Sequence, residues 1–173
     1  FRAMAEISEQ IGKDGSVYRA EYEKLTAVIE KFFWDEEKGA YIDSFTSGRR
    51  NVTRHANIFA ILFSIADKTK QEKILKNVLE NDEIPAITTP YFNFFELDVL
   101  CRMGKLTEVL DKIRSYWGGM LDLGAVTFWE EYDPSVPKEE QYDMYGDHFG
   151  KSLCHAWAAS PIYFLAKYYA GLD

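Results

Sequence analysis

RHANIFAILFSIAD, residues 54–67, is the stretch that decides the fold. Ala56, Ile58, Phe59, Ala60, Ile61, Leu62, Phe63 and Ile65 leave almost no polar face, so a helix here is expected to be buried all round. The chain breaks at Asp67, Lys68 and Thr69. Beyond the break, in residues 71–80, Ile74, Leu75, Val78 and Leu79 share one stripe and charges occupy the rest. That is an amphipathic helix with one face in water.

The same alternation runs outward in both directions. Residues 90–102 carry Tyr91, Phe92, Phe94, Phe95, Leu97, Val99 and Leu100, and residues 105–117 place Leu106, Val109, Leu110, Ile113 and Trp117 on one side. Upstream, Tyr18, Tyr22, Leu25, Ile29 and Phe32 recur at helical spacing over 17–33. Residues 151–169 form a last buried-type helix, with Pro161 expected to kink it because proline lacks a backbone donor and clashes with the preceding turn. A weaker helix falls near 3–11, and extended structure is limited to a small hairpin over Gly39–Phe45.

Two concentric helical layers require this alternation, since an inner helix touches neighbours on every side and an outer one faces solvent. The expected fold is therefore all-α, with about six or seven helices in two layers, a toroid being one arrangement that satisfies the pattern. The links agree with it. Those at Lys68 and Gly104 are short, whereas those over 34–53, 81–89 and 118–150 are long and would gather at the amino-terminal ends of the inner helices. An ordinary helical bundle or an α-solenoid would also produce amphipathic pairs.

The 173 residues, 47% of them hydrophobic, suit a single domain over 1–173. A formal net charge of −8 gives nucleic-acid phosphates and anionic lipid headgroups little to grip, and a neutral substrate fits better. No stretch approaches the roughly 20 apolar residues of a membrane span. The first residue is Phe1 and not Met, so the chain is expected to be cut from something larger, and the compartment stays open. Cys101 and Cys154 both fall in apolar helical stretches and are expected to be buried free thiols.

Two clusters could carry chemistry. In the 118–150 link, GAVTFWEEYDP (124–134) sets Glu130 and Glu131 beside Trp129, where a carboxylate could hold a water or a sugar hydroxyl; a solvated loop acid is the plainer alternative. SLCHAWAASP (152–161) places His155 and Trp157 at the start of the final helix, and His55 opens an earlier helix in an analogous position. A histidine on an apolar helix is more often structural than catalytic. Asp143, Asp147 and His148 lack a coordination spacing and are taken as solvated loop residues, so no metal is assigned.

With these strings in view, the chain resembles glycoside hydrolase family 78, the bacterial α-L-rhamnosidases, among the six-hairpin glycosidases. The matching strings are TRHAN (53–57), TPYFNFFE (89–96), WGGM (117–120), TFWE (127–130) and SLCHAW (152–157), in that order. The resemblance implies that the chain is part of an (α/α)6 toroid, that Glu130 is the general base of an inverting hydrolysis and that His155 holds the sugar with Trp157 packing or lining beside it; Trp129 and His55, singled out above, are kept as further substrate-binding candidates. It also implies a carbohydrate partner bearing terminal rhamnose or a similar deoxysugar, and it requires no metal or organic cofactor. The family's general acid lies on a motif rich in Asp, Arg, Glu and Trp that is not found in these residues, so the chain is expected to hold the base without the acid and to be inactive alone. Half a toroid would also leave inner helices without neighbours, which predicts an exposed apolar groove or a homodimer. The competing readings are a carbohydrate-binding or interacting helical domain without hydrolysis, and a helical-repeat scaffold, which the long loop carrying Glu130 disfavours.

Overall fold

The structure, a computed structural model, describes residues 1–172. It forms two compact units, Phe1–Ile84 and Pro85 onward, and both are mainly helical.

In the first unit α1 (Arg2–Gln10) and α2 (Ser16–Phe33) make an antiparallel-style hairpin joined at Gly12 and Gly15. The approach is close: a Cβ on Gly15 would sit 2.6 Å from the Ala5 carbonyl oxygen. A two-stranded hairpin follows, with β1 (Trp34–Asp35) paired to β2 (Ala40–Tyr41). Asp35 closes its turn by accepting from the amides of Glu37 and Lys38 at 3.0 and 3.1 Å and from Arg50 Nε at 2.7 Å.

Next come α3 (Arg54–Leu62) and α4 (Lys68–Ile74), the latter continuing through a wider π turn at Leu75–Leu79. Asp67 caps α4 by accepting from the Lys70 amide at 2.9 Å, which satisfies one of the orphan donors of the first turn. Ile58, Ile74 and Val78 are fully buried, and each such side chain contributes roughly 1.5–3 kcal/mol of transfer free energy.

Arg54 and Asn57, both from the 53–57 string, hold this unit together. The Arg54 guanidinium donates to the carbonyls of Leu79 (2.9 Å) and Asn81 (3.4 Å), neutralising the carboxyl end of α4 and its extension. Asn57 is wholly buried; it accepts from the Tyr41 amide at 2.8 Å and donates to the Tyr41 carbonyl at 2.9 Å, acting as a strand partner for β2.

The second unit is organised on α5 (Pro90–Arg102), which packs against α6 (Leu106–Lys112) and α8 (Ser160–Phe164). Pro90 starts α5, where its missing N–H is no loss, and Gly104 at φ +76° ends the turn beyond it. A π turn at Ile113–Trp117 and the short α7 (Gly118–Asp122) prolong α6, and another π turn, Leu165–Tyr169, prolongs α8. Two carboxylates are buried on α5: Glu96 pairs with Lys112 Nζ, and Asp98 with Arg102 at 2.7 Å. Among the described residues no helix is long and apolar enough to cross a membrane.

Several expectations change in detail. Helix α3 stops at Leu62 rather than 67, because Ser64 turns into the left-handed region at φ +58°; within it His55 is exposed and Ala56 and Phe59 are half-buried, so the helix is not covered all round. The hairpin starts earlier than Gly39, since Trp34 and Asp35 supply its first strand. The largest correction concerns 151–169. Residues 151–155 are not helical: His155 is extended at φ −121°, ψ 110°, a short 3-10 turn spans Ala156–Ala158, and Pro161 lies in the first turn of α8. Proline therefore begins this helix instead of kinking it. In consequence Cys154 is exposed on the non-helical segment; Cys101 is buried as expected, with its thiol pushed up to about 11 by burial.

Candidate functional site

The site is built on two non-helical segments that lie side by side. The Glu130 amide donates to the Ser152 carbonyl at 2.9 Å, the His155 amide donates to the Phe128 carbonyl at 2.7 Å, and the Thr127 hydroxyl donates to the Leu153 carbonyl. Residues 127–130 and 152–155 are thereby fastened across a gap of more than twenty positions in sequence. These pairings also explain why 151–155 is not helical: its backbone groups are committed across the chain rather than along it.

The pair of segments stands at the amino-terminal end of α5. The Tyr132 amide donates to the Thr88 carbonyl at 3.0 Å, the Thr88 hydroxyl to Glu131 at 3.1 Å, and the Trp157 ring lies 5.3 Å from that of Tyr91 in the first turn of α5. Behind it, Trp117 Nε1 donates to the Ala158 carbonyl at 2.8 Å, which fixes the end of the 3-10 turn.

Glu130 is mostly enclosed, its side chain 12% exposed. One carboxylate oxygen accepts from the Ser152 amide at 3.2 Å and the other from the Tyr145 phenol at 3.0 Å. His155 Nδ1 stands 3.8 Å from the first of these oxygens, too far for a hydrogen bond, and is buried without another hydrogen-bond partner. The His155 ring lies 4.0 Å from that of Trp157 at 35°. Trp157, 49% exposed, and Tyr91, 48% exposed, continue the array outward as an open aromatic surface. An enclosed carboxylate beside a histidine and open aromatic rings can take a proton from water and hold the apolar face of a sugar.

Glu131 is engaged differently. Besides Thr88 it faces Lys151 Nζ at 4.0 Å, and the Lys151 side chain is only 4% exposed. Burial lowers the Lys151 pKa, and the carboxylates of Glu131, Asp133, Asp143 and Glu130 oppose that shift. The buried Lys151 cation offsets the carboxylates of this acidic loop. A cavity of about 550 Å³ in the same unit is lined by Thr88, Tyr116, Tyr132 and Asp133, but not by Glu130.

Of the residues expected from sequence, Glu130, His155 and Trp157 come together. Trp129 does not share their surface: it is 3% exposed and packs on Tyr142, with ring centroids 5.6 Å apart, so it supports the loop from beneath. His55 belongs to the first unit, exposed in the first turn of α3. Asp143 and His148 pair at 2.7 Å within the loop. Sequence reasoning missed Tyr145, Ser152, Lys151 and Tyr91. Ser152 acts through its backbone, Lys151 reads as an ordinary surface lysine, and Tyr145 depends on a turn; only Tyr91, within the 89–96 string, carried a local signal.

An all-helical unit that presents an enclosed carboxylate, a histidine and open aromatic rings on long loops at a helix amino terminus has the makings of a helical glycosidase domain. The comparisons narrow that class. The family model of the bacterial alpha-L-rhamnosidase 6 hairpin glycosidase domain matches residues 1–169, and the chain belongs to that family. Among solved structures it is similar to a rhamnosidase from Klebsiella oxytoca with rhamnose bound, at 30% identity and a TM-score of 0.78 over 89% of this chain. The match spans 29% of that protein's chain. No curated protein matched.

Proposed function

We propose that this chain supplies the base side of an inverting α-L-rhamnosidase, with Glu130 as the general base and His155 and Trp157 holding the sugar. The observation that carries the reading is the geometry at Glu130: a carboxylate with both oxygens oriented by donors, next to a histidine and an open aromatic face. In inversion this carboxylate takes a proton from the attacking water while a carboxylic acid on the opposite face protonates the departing oxygen, the two being about 6.5–9.5 Å apart. The acid is assigned to residues outside this chain, and the two units to one catalytic domain, in keeping with a family match that runs through both. Trp129 backs the site. The rhamnose in the similar structure supports a terminal deoxysugar as the ligand.

The whole protein should release the aglycone from an aryl α-L-rhamnoside, and proton NMR of the first-formed sugar should show the β-anomer. Retention of the α-anomer would overturn the inverting assignment. Binding of L-rhamnose without any hydrolysis would favour the carbohydrate-binding reading instead.

A further inference from the structure

Tyr145 sits in a turn that its residue type disfavours. Tyr145 at φ +56° and Gly146 at φ +85° are the two central residues of a tight turn between Met144 and Asp147, which exchange amide-to-carbonyl hydrogen bonds at 3.0 Å in both directions. Such turns favour asparagine or aspartate followed by glycine, because a left-handed backbone suits short polar side chains and glycine. A tyrosine there is strained, and its ring is not stabilised by burial, since the residue is 78% exposed. What its side chain does make is a hydrogen bond to Glu130 at 3.0 Å.

The turn itself is firmly based. The Lys151 amide donates to the Tyr142 carbonyl at 3.1 Å, Asp143 pairs with His148 at 2.7 Å, and a Cβ on Gly150 would lie 2.2 Å from the Met144 carbonyl oxygen. A rigid base under a strained, solvent-facing residue suits a side chain that must reach one fixed point. That point is the carboxylate oxygen not held by Ser152.

We propose that Tyr145 is a positioning residue for the hydrolysis, its phenol fixing the rotation of the Glu130 carboxylate so that a lone pair stays aimed at the attacking water. The proposal rests on Glu130 being the base. With only the long 3.2 Å bond from Ser152, the carboxylate could turn about its last side-chain bond; the phenol removes that freedom. Glu130 raises the Tyr145 pKa, first by the hydrogen bond and then by its charge, so the phenol stays protonated and able to donate.

The test compares Tyr145→Phe, Tyr145→Asn and Glu130→Gln in the whole protein, with an aryl α-L-rhamnoside as substrate and thermal melting alongside. Loss of a hydrogen bond to a charged group corresponds to a factor of roughly ten to a hundred. Tyr145→Phe should lower kcat by about tenfold or more, leave KM nearly unchanged, and keep the melting temperature. Tyr145→Asn should lower kcat equally while melting no lower than the parent, because asparagine suits the turn. A purely structural tyrosine would show the reverse in the second variant, with stability and activity moving together. Full kcat in Tyr145→Phe while Glu130→Gln is inactive overturns the positioning role and leaves the base assignment standing. Full activity in Glu130→Gln overturns the base assignment and the positioning role with it.

Discussion

Replacing Glu130 by glutamine removes the basicity of the proposed site and almost nothing else, and the structure shows why. Ser152 can only donate to the side chain, through its amide at 3.2 Å, so the glutamine must place its carbonyl oxygen there. Its NH2 group then takes the position facing Tyr145 at 3.0 Å. A phenol accepts as readily as it donates, so that contact survives with its direction reversed. Each bond loses the charge-assisted part of its strength, about 1 kcal/mol, so the two together should lower the melting temperature by no more than about 4–8 °C. Turnover behaves differently: losing a general base slows the reaction by about 10² to 10⁴, or roughly 2.7 to 5.4 kcal/mol at the transition state. The assay is kcat and KM on an aryl α-L-rhamnoside for the whole protein, with rhamnose binding followed by calorimetry. We expect at least about a hundredfold loss in kcat with rhamnose still bound. In Glu130→Ala, azide should restore part of the turnover, since an anionic nucleophile needs no deprotonation. Turnover by Glu130→Gln within a few-fold of the parent would refute the assignment.

Other consequences follow from the packing. The Arg50 hydrogen bond, aided by the amides of Lys38 and Glu37, holds the buried Asp35 carboxyl below its usual range, so its contribution is present above the unfolded value near 3.9 and is lost as pH falls towards the lower folded value. Melting curves between pH 6 and 3 should show this loss in the parent and a flatter response in Asp35→Asn, which at neutral pH should be about 1–3 kcal/mol less stable; equal pH profiles would contradict it. Gly119→Ala drives a Cβ to 2.3 Å from the Tyr132 hydroxyl, and the overpacking, about 1–3 kcal/mol, should exceed the helix-propensity gain of up to about 1 kcal/mol. A raised melting temperature would show that Tyr132 moves aside freely. Finally, α1 turns Phe1, Met4, Ile7 and Ile11 outward on one stripe, each at least 47% exposed, so the isolated chain should sediment as a homodimer or larger species. A monodisperse monomer would count against it.

Local chemistry was legible wherever it dictated local structure. The alternation between 54–67 and 71–80 and the short link at Gly104 are encoded within a few residues, because helix periodicity and termini are short-range properties. The strings around Glu130, His155 and Trp157 were visible in the same way. The conformation of 151–155 was not: its composition suits a helix, and it is not helical because Phe128 and Glu130 claim its backbone. Cys154 is exposed for that reason, and Trp129 is buried against Tyr142 from the same loop. Arg54 and Asn57 show the converse, since they lie in a string that also holds a candidate site residue, yet they bind a helix end and a strand. Tyr145 and Lys151 acquire meaning only from partners distant in sequence, the one through a strained turn and the other through burial against Glu131. Periodicity and capping act over one or two turns and can be read along the chain, whereas the direction of a loop carboxylate is set by donors far from it in sequence, and only the tertiary structure supplies them.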